Sequence, residues 1–314
     1  IDNDGDLDAF IGNYRGNTVY FENIGRANEP RFEQSENNPF GLKHRVRWSA
    51  APAFADLDND GDLDAFISHS LSNTAYFENT GRANEPQFIL IENNPFGLKA
   101  VRPWAAPAFA DLDNDGDLDA FIGNRNGDTA YFENIGRANE PQFILIENNP
   151  FGLQNFGLRA APAFADLDND GDLDAFIGRS LGDTAYFENI GRANEPQFIL
   201  IENNPFGLQN FGLRAAPAFA DLDNDGDLDA FIGNSAGDTA YFENTSNPPE
   251  RRVPGALYNF SNDADFELSV ESGSIESAID PIDPNLQDIV DTKIVFDGDY
   301  INHAIIERPV DGSD

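Results

Sequence analysis

The sequence predicts an all-β protein, a β-propeller of four-stranded antiparallel blades. Three observations predict it. Acidic segments recur at equivalent positions Asp2, Asp58, Asp113, Asp168 and Asp223, spaced 56, 55, 55 and 55 residues apart. Each period carries four short runs rich in Phe, Ile, Tyr and Ala, punctuated by Gly, Pro and Asn, as strands are. None of these runs reaches the ten to twelve residues at 3.6 spacing that a helix needs. Gly127–Gly178 and Gly182–Gly233 are identical over 52 residues, so the chain is a stack of one duplicated unit.

The elements follow in order within one period, read from Ala161. "APAFADLD" is an apolar first strand running into the acidic loop, and "DAFIGR" (Asp174 to Arg179) is the second strand. A variable turn leads to the third, "DTAYFENIG" (Asp183 to Gly191), and "RANEP" turns into the fourth, "QFILIENNPF" (Gln197 to Phe206). "FILI" is apolar without alternation, which predicts burial on both faces. A four-stranded antiparallel unit between like neighbours is a propeller blade. A linear β-solenoid is the competing arrangement, although four strands exceed what one solenoid coil usually holds.

About five blades are expected in residues 1–246, with acidic loops at 2–8, 56–64, 111–119, 166–174 and 221–229. The chain starts at Ile1 inside a repeat and so reads as N-terminally truncated, with any signal peptide upstream. After Ser246 the fourth strand of the last blade is missing. "NPPERRVPG" (residues 247–255) reads as a Pro-rich linker, and residues 256–314 as the start of an acidic β-rich domain with strand-like "DFELSV" and "TKIVF".

Composition narrows the function. The 314 residues carry 56 Asp and Glu against 19 Lys and Arg, a net charge of -37. Phosphate polymers and anionic membranes are repelled by such a surface, so nucleic acid is not an expected partner. Bound cations and an extracellular setting suit it better. With no Cys there are no disulfides, thiolate zinc sites or cysteine nucleophiles. No apolar run approaches the ~20 residues that span a bilayer.

The acidic loop "DLDNDGDLD" packs five aspartates into the nine residues Asp56 to Asp64. Counting Asp56 as position 1, carboxylates fall at 1, 3, 5, 7 and 9 with Gly61 at 6. Alternating carboxylates before a Gly turn wrap oxygens around a hard cation. Calcium takes six to eight oxygens, whereas magnesium holds to a tight octahedron and keeps its waters. An EF-hand is ruled out because position 12 is Ile67, Ile122, Ile177 or Ile232 where a bidentate Glu is required, and because the flanks read as strands. A merely solvated acidic turn is the bland alternative, and five copies of one pattern argue against it.

"FADLDNDGDLDAFIG" followed by "YFENIG" resembles the FG-GAP/VCBS repeat family, the calcium-binding blades of integrin α-chain-type propellers, over Ile1 to about Ser246. The resemblance implies a calcium ion in the loop joining the first two strands, about one per blade. It implies side-chain ligands at Asp56, Asp58, Asp60 and Asp64, with a backbone carbonyl from Asp62. The same roles fall on Asp111, Asp113, Asp115, Asp119 and Asp117, then on Asp166, Asp168, Asp170, Asp174 and Asp172. They fall next on Asp221, Asp223, Asp225, Asp229 and Asp227, and the first copy keeps Asp2, Asp4, Asp6 and Asp8. Complete propellers of the family resemble seven-bladed rings, so about five blades leave ring size open.

In such a blade the acidic loops and "GRANEP" turns share one face. The turns between second and third strands lie on the other, and they vary most: "GNYRGN", "SHSLSN", "GNRNGD", "GRSLGD" and "GNSAGD". Trp48 and Trp104 lie in the connections between blades on that same face. The variation suits a protein or glycan ligand, or else drift in unconstrained turns; the tryptophans suit packing between blades as well as ligand contact. His44, His69 and His303 are isolated and read as packing or surface residues, and Asn244 and Asn259 open short glycosylation sequons. Copied blades cannot supply the asymmetric constellation of a typical active site. The expectation is therefore a non-enzymatic, calcium-binding module of a secreted or cell-surface protein, serving adhesion or recognition. The alternative is an accessory propeller of a secreted polysaccharide-acting enzyme.

Overall fold

The computed structural model describes residues 5–26, 29–43, 49–70, 73–82, 85–137, 139–168, 170–192 and 194–245, and the backbone of 258–260, 294–298 and 301–306. Asp2, Asp4, His44, Trp48 and the linker at 247–255 lie outside the described residues, as does "DFELSV".

The strands form five blades. Blade 1 holds β1 (Asp8–Gly12), β2 (Thr18–Asn23) and β3 (Phe32–Asn37). Blade 2 holds β4 (Ala50–Ala55), β5 (Asp64–His69), β6 (Thr74–Asn79) and β7 (Phe88–Asn93). Blade 3 holds β8 (Ala106–Ala110), β9 (Asp119–Gly123), β10 (Thr129–Asn134) and β11 (Phe143–Asn148). Blade 4 holds β12 (Ala161–Ala165), β13 (Asp174–Gly178), β14 (Thr184–Asn189) and β15 (Phe198–Asn203). Blade 5 holds β16 (Ala216–Ala220), β17 (Asp229–Gly233) and β18 (Thr239–Phe242). Blades 2 to 5 are antiparallel meanders with strands in chain order.

Later strands complete the outer blades. β19 (Tyr258–Phe260) pairs with β18 in the fourth position of blade 5. The hairpin of β20 (Ile294–Gly298) and β21 (Ile301–Ile306) joins blade 1, with β21 antiparallel to β1 where the other blades place their first strand. β20, which covers most of the "TKIVF" segment, lies inside β21 and runs against β16 and β4.

Composition explains the radial order. The innermost strands read "APAFA", and their Ala side chains are buried where strands from all blades converge. The Pro that each contains is tolerated because the inner edge needs no ladder donor. Between blades, an aromatic wedge repeats. Phe121 stacks on Tyr131 at 5.0 Å within blade 3 and meets Phe164 of blade 4 at 4.7 Å. Phe66 meets Phe109 at 4.7 Å and Phe176 meets Phe219 at 4.5 Å in the same way. One buried cluster joins Phe231 and Tyr241 of blade 5 to Ile11 and Phe21 of blade 1, which closes the ring at five blades.

The fourth strands differ from expectation. In β7, β11 and β15 only the first residue is buried: Phe88 is 3% exposed, but Ile89, Leu90 and Ile91 are 46%, 40% and 50% exposed. The same holds for Ile144, Leu145 and Ile146, and for Ile199, Leu200 and Ile201. Blades diverge radially, so at the rim no neighbour lies close enough to cover a face, and the run "FILI" is not a sign of double burial.

Gly123, at the end of β9, sits directly against the backbone entering blade 4. A Cβ there would lie 2.1 Å from the carbonyl oxygen of Ala160 in blade 4. Gly123→Val should therefore wedge blades 3 and 4 apart and cost about 1–3 kcal/mol. Equilibrium unfolding in denaturant checks this; an unchanged midpoint would show that the blades do not seat on this glycine.

Candidate metal centre

In blades 2 to 5 the acidic loop joins the first and second strands, and its backbone folds around its own carboxylates. In blade 2 the Asp60 and Gly61 amides donate to the Asp56 carboxylate at 3.2 and 3.1 Å, and the Asp62 amide donates to Asp60 Oδ1 at 3.0 Å. Blades 3, 4 and 5 repeat this at Asp111, Asp166 and Asp221. Two left-handed residues make the wrap possible. Asn59 has φ 55° and Gly61 φ 95°. A Cβ on Gly61 would meet nothing within 4 Å, so glycine is required there by conformation and not by space.

This wrap brings positions 1, 3 and 5 together. One carboxylate oxygen each from Asp56, Asp58 and Asp60 lie within 4.8 Å of one another, and so do those of Asp111, Asp113 and Asp115. Asp166, Asp168 and Asp170 form the third triad, and Asp221, Asp223 and Asp225 the fourth. Each triad could hold a metal ion. The fit has a local signature, since Asp58 Oδ1 is buried without a hydrogen-bond partner, as is Asp172 Oδ1 at position 7 of blade 4. A buried acceptor that no donor satisfies is costly unless a cation faces it. Burial first, then the neighbouring Asp60 and Asp56, push the Asp58 carboxyl above the usual range. Burial and the neighbouring Asp225 push Asp223 up to about 6.

Position 9 is placed differently. The Asp64 carboxylate is buried at the start of β5, where it accepts hydrogen bonds from the Tyr76 hydroxyl and the Asn79 amide, both at 2.8 Å. Asp119, Asp174 and Asp229 make the same pair of bonds with Tyr131 and Asn134, Tyr186 and Asn189, and Tyr241 and Asn244. In blade 1 the Asn23 amide donates to Asp8 Oδ1 at 3.0 Å. The Asn79 side chain in turn accepts from the Gly81 and Gln87 amides, closing the "GRANEP" turn. Position 9 thus latches the acidic loop to the third strand and its turn. Tyr76, Asn79 and their counterparts were not among the residues expected from the sequence. Their signal was the constant spacing of 12 and 15 residues from each position-9 aspartate.

Burial dominates these latch carboxyls. It pushes Asp64, Asp119 and Asp174 up to about 7 and Asp229 up to about 8, against the lowering pull of their Asn and Tyr donors. A folded-state value above the ordinary 3.8 means that the folded protein holds the proton longer than the unfolded chain. In chelator, stability from these groups is therefore full below about pH 4 and falls as pH rises through about 7. Added calcium should flatten or reverse this slope, because a cation favours the ionised form. Thermal melts from pH 4 to 8, with and without calcium, test the sign. Tyr131→Phe removes one donor to a buried carboxylate and should cost about 1–3 kcal/mol in denaturant unfolding; a wild-type midpoint would remove the latch from the account.

The family model described as FG-GAP-like repeat matches residues 1–67, 111–177 and 166–232. No curated protein matches the chain at a significant level. With loops, strands and blades of this kind in every period, and the family model covering more than half of its length, the chain belongs to the FG-GAP-like repeat family.

Proposed function

We propose that this ring is a calcium-stabilised, non-catalytic recognition or adhesion module of an extracellular or cell-surface protein. The observation that carries the calcium reading is the convergence of three carboxylate oxygens within 4.8 Å in four successive blades. The buried, unsatisfied Asp58 Oδ1 points the same way. An all-oxygen donor set suits a hard cation, and a flexible loop with several carboxylates suits calcium better than magnesium. Asp56, Asp58 and Asp60 would hold the ion with their counterparts in the other loops, and the ion would offset their mutual repulsion.

Calcium then acts on folding. The unfolded chain has no preformed loop, so binding free energy becomes folding free energy. At a free concentration 100 times the dissociation constant, each site adds about 2.7 kcal/mol. The family's repeats favour an extracellular address, and among the described residues no helix is long and apolar enough to cross a membrane. A protein or glycan ligand would meet the face opposite the acidic loops, where the copies differ.

Thermal unfolding in millimolar calcium should lie far above unfolding in chelator, with magnesium restoring little. Superimposed melts would end the structural-calcium reading. An array of glycans and proteins probed in calcium and in chelator tests recognition separately, and the expected result is calcium-dependent capture of at least one class.

A further inference from the structure

We propose that the outer edge of blade 5 is an open strand slot that takes a Phe-led, apolar extended segment of a partner chain. The proposal concerns the rim of the ring and stands apart from the recognition face described above.

The closed joints show what fills such a slot. In blades 2, 3 and 4 the fourth strand opens with Phe88, Phe143 or Phe198, all buried. Each shares a core cluster with the Phe of the preceding blade's Pro-Phe-Gly turn: Phe88 with Phe40, Phe143 with Phe96, and Phe198 with Phe151. The glycine of that turn lies flat on the backbone of the strand it covers. A Cβ on Gly97 would come within 2.6 Å of the Phe143 carbonyl oxygen, and one on Gly152 within 2.5 Å of that of Phe198.

The turn facing blade 5 has the same sequence and a different environment. Phe206 is 58% exposed, whereas Phe40, Phe96 and Phe151 are half-buried. A Cβ on Gly207 would meet nothing within 4 Å among the described residues. β18 reports the same opening from its own side. Phe242 is half-buried, while its counterparts Phe77, Phe132 and Phe187 are fully buried. β19 fills only part of the fourth position, pairing with Thr239, Ala240 and Tyr241. In blade 3 the fourth strand reaches further and sets Leu145 opposite Phe132, the counterpart of Phe242.

The repeat therefore supplies its own template for the occupant. It is a strand antiparallel to β18, with an apolar residue opposite Phe242 and a Phe two residues before it that enters beside Phe206. Main-chain hydrogen bonds give such strand addition its affinity, and side-chain pockets give it specificity. An intact second copy cannot supply this strand, because its own Phe88, Phe143 and Phe198 are already buried in closed joints. The net charge of -37 disfavours an acidic segment.

The test uses the full chain in millimolar calcium and a fluorescent peptide of the protein's own fourth-strand sequence, Pro-Gln-Phe-Ile-Leu-Ile-Glu-Asn-Asn (residues 196–204), read by anisotropy. Its only charged side chain is a Glu, so attraction to an acidic ring cannot account for binding. Saturable binding is expected, falling at least about 10-fold, or about 1.4 kcal/mol, for the peptide carrying Phe198→Ala. Gly207→Ala in the ring should cost at least about as much, since its methyl group meets open space until a strand arrives. Phe206→Ser should weaken binding about 5-fold and serves as the second variant should Gly207→Ala fail to fold; calcium-dependent melting reports folding of both. No saturable binding, binding equal to that of a scrambled peptide, or affinity indifferent to the ring variants overturns the proposal. So does concentration-dependent dimerisation of the ring that Gly207→Ala abolishes, which assigns the slot to a second copy.

Discussion

The convergence of like charges in the acidic loop is the constraint on which the rest of the structure depends. Asp56, Asp58 and Asp60 bring their oxygens within 4.8 Å of one another, and no cationic side chain from the loop itself neutralises them. The loop nonetheless closes, because its own amides turn inward and Asn59 and Gly61 adopt left-handed conformations. The loop backbone is thus organised around its own carboxylates. Beneath it, the position-9 aspartate is withdrawn from solvent and bound by a tyrosine and a backbone amide of the third strand. The charge problem at the loop and the register of the hairpins are therefore solved by neighbouring residues of one motif.

Much of this was legible in the sequence because its causes are local. The repeat spacing, the Gly at position 6 and the short apolar runs report turn chemistry and strand length, which depend on adjacent residues. The all-β architecture and the strand order followed from them. What could not be read was what depends on packing at a distance. "FILI" has the same composition whether or not a neighbour covers it, and only radial divergence of the blades leaves Ile89, Leu90 and Ile91 exposed. The candidate site divides along the same line. The clustering of positions 1, 3 and 5 is prefigured by their alternate spacing before a glycine turn, whereas the partners of position 9 come from a strand 12 to 15 residues away.

The completion of blade 1 belongs to this second class. β21 pairs with β1 across almost the whole length of the chain, and nothing in the composition of "INHAII" specifies that partner. β20 then runs inside it, against the innermost strands of other blades. His69, by contrast, is buried at the end of β5, in keeping with the packing role expected of an isolated histidine.

The copied wedge of Phe, Tyr and Phe has one further implication. Phe10 with Phe54, Phe66 with Phe109, Phe121 with Phe164 and Phe176 with Phe219 are the same joint used four times. A joint that recurs without variation carries no address, so side-chain chemistry cannot tell one blade's proper neighbour from the next blade along. Order around the ring must come from the short covalent tether between consecutive blades, which reaches the adjacent joint before any other. The assembly is in this sense sorted by proximity, and a gain or loss of one whole unit would leave every remaining joint still able to mate.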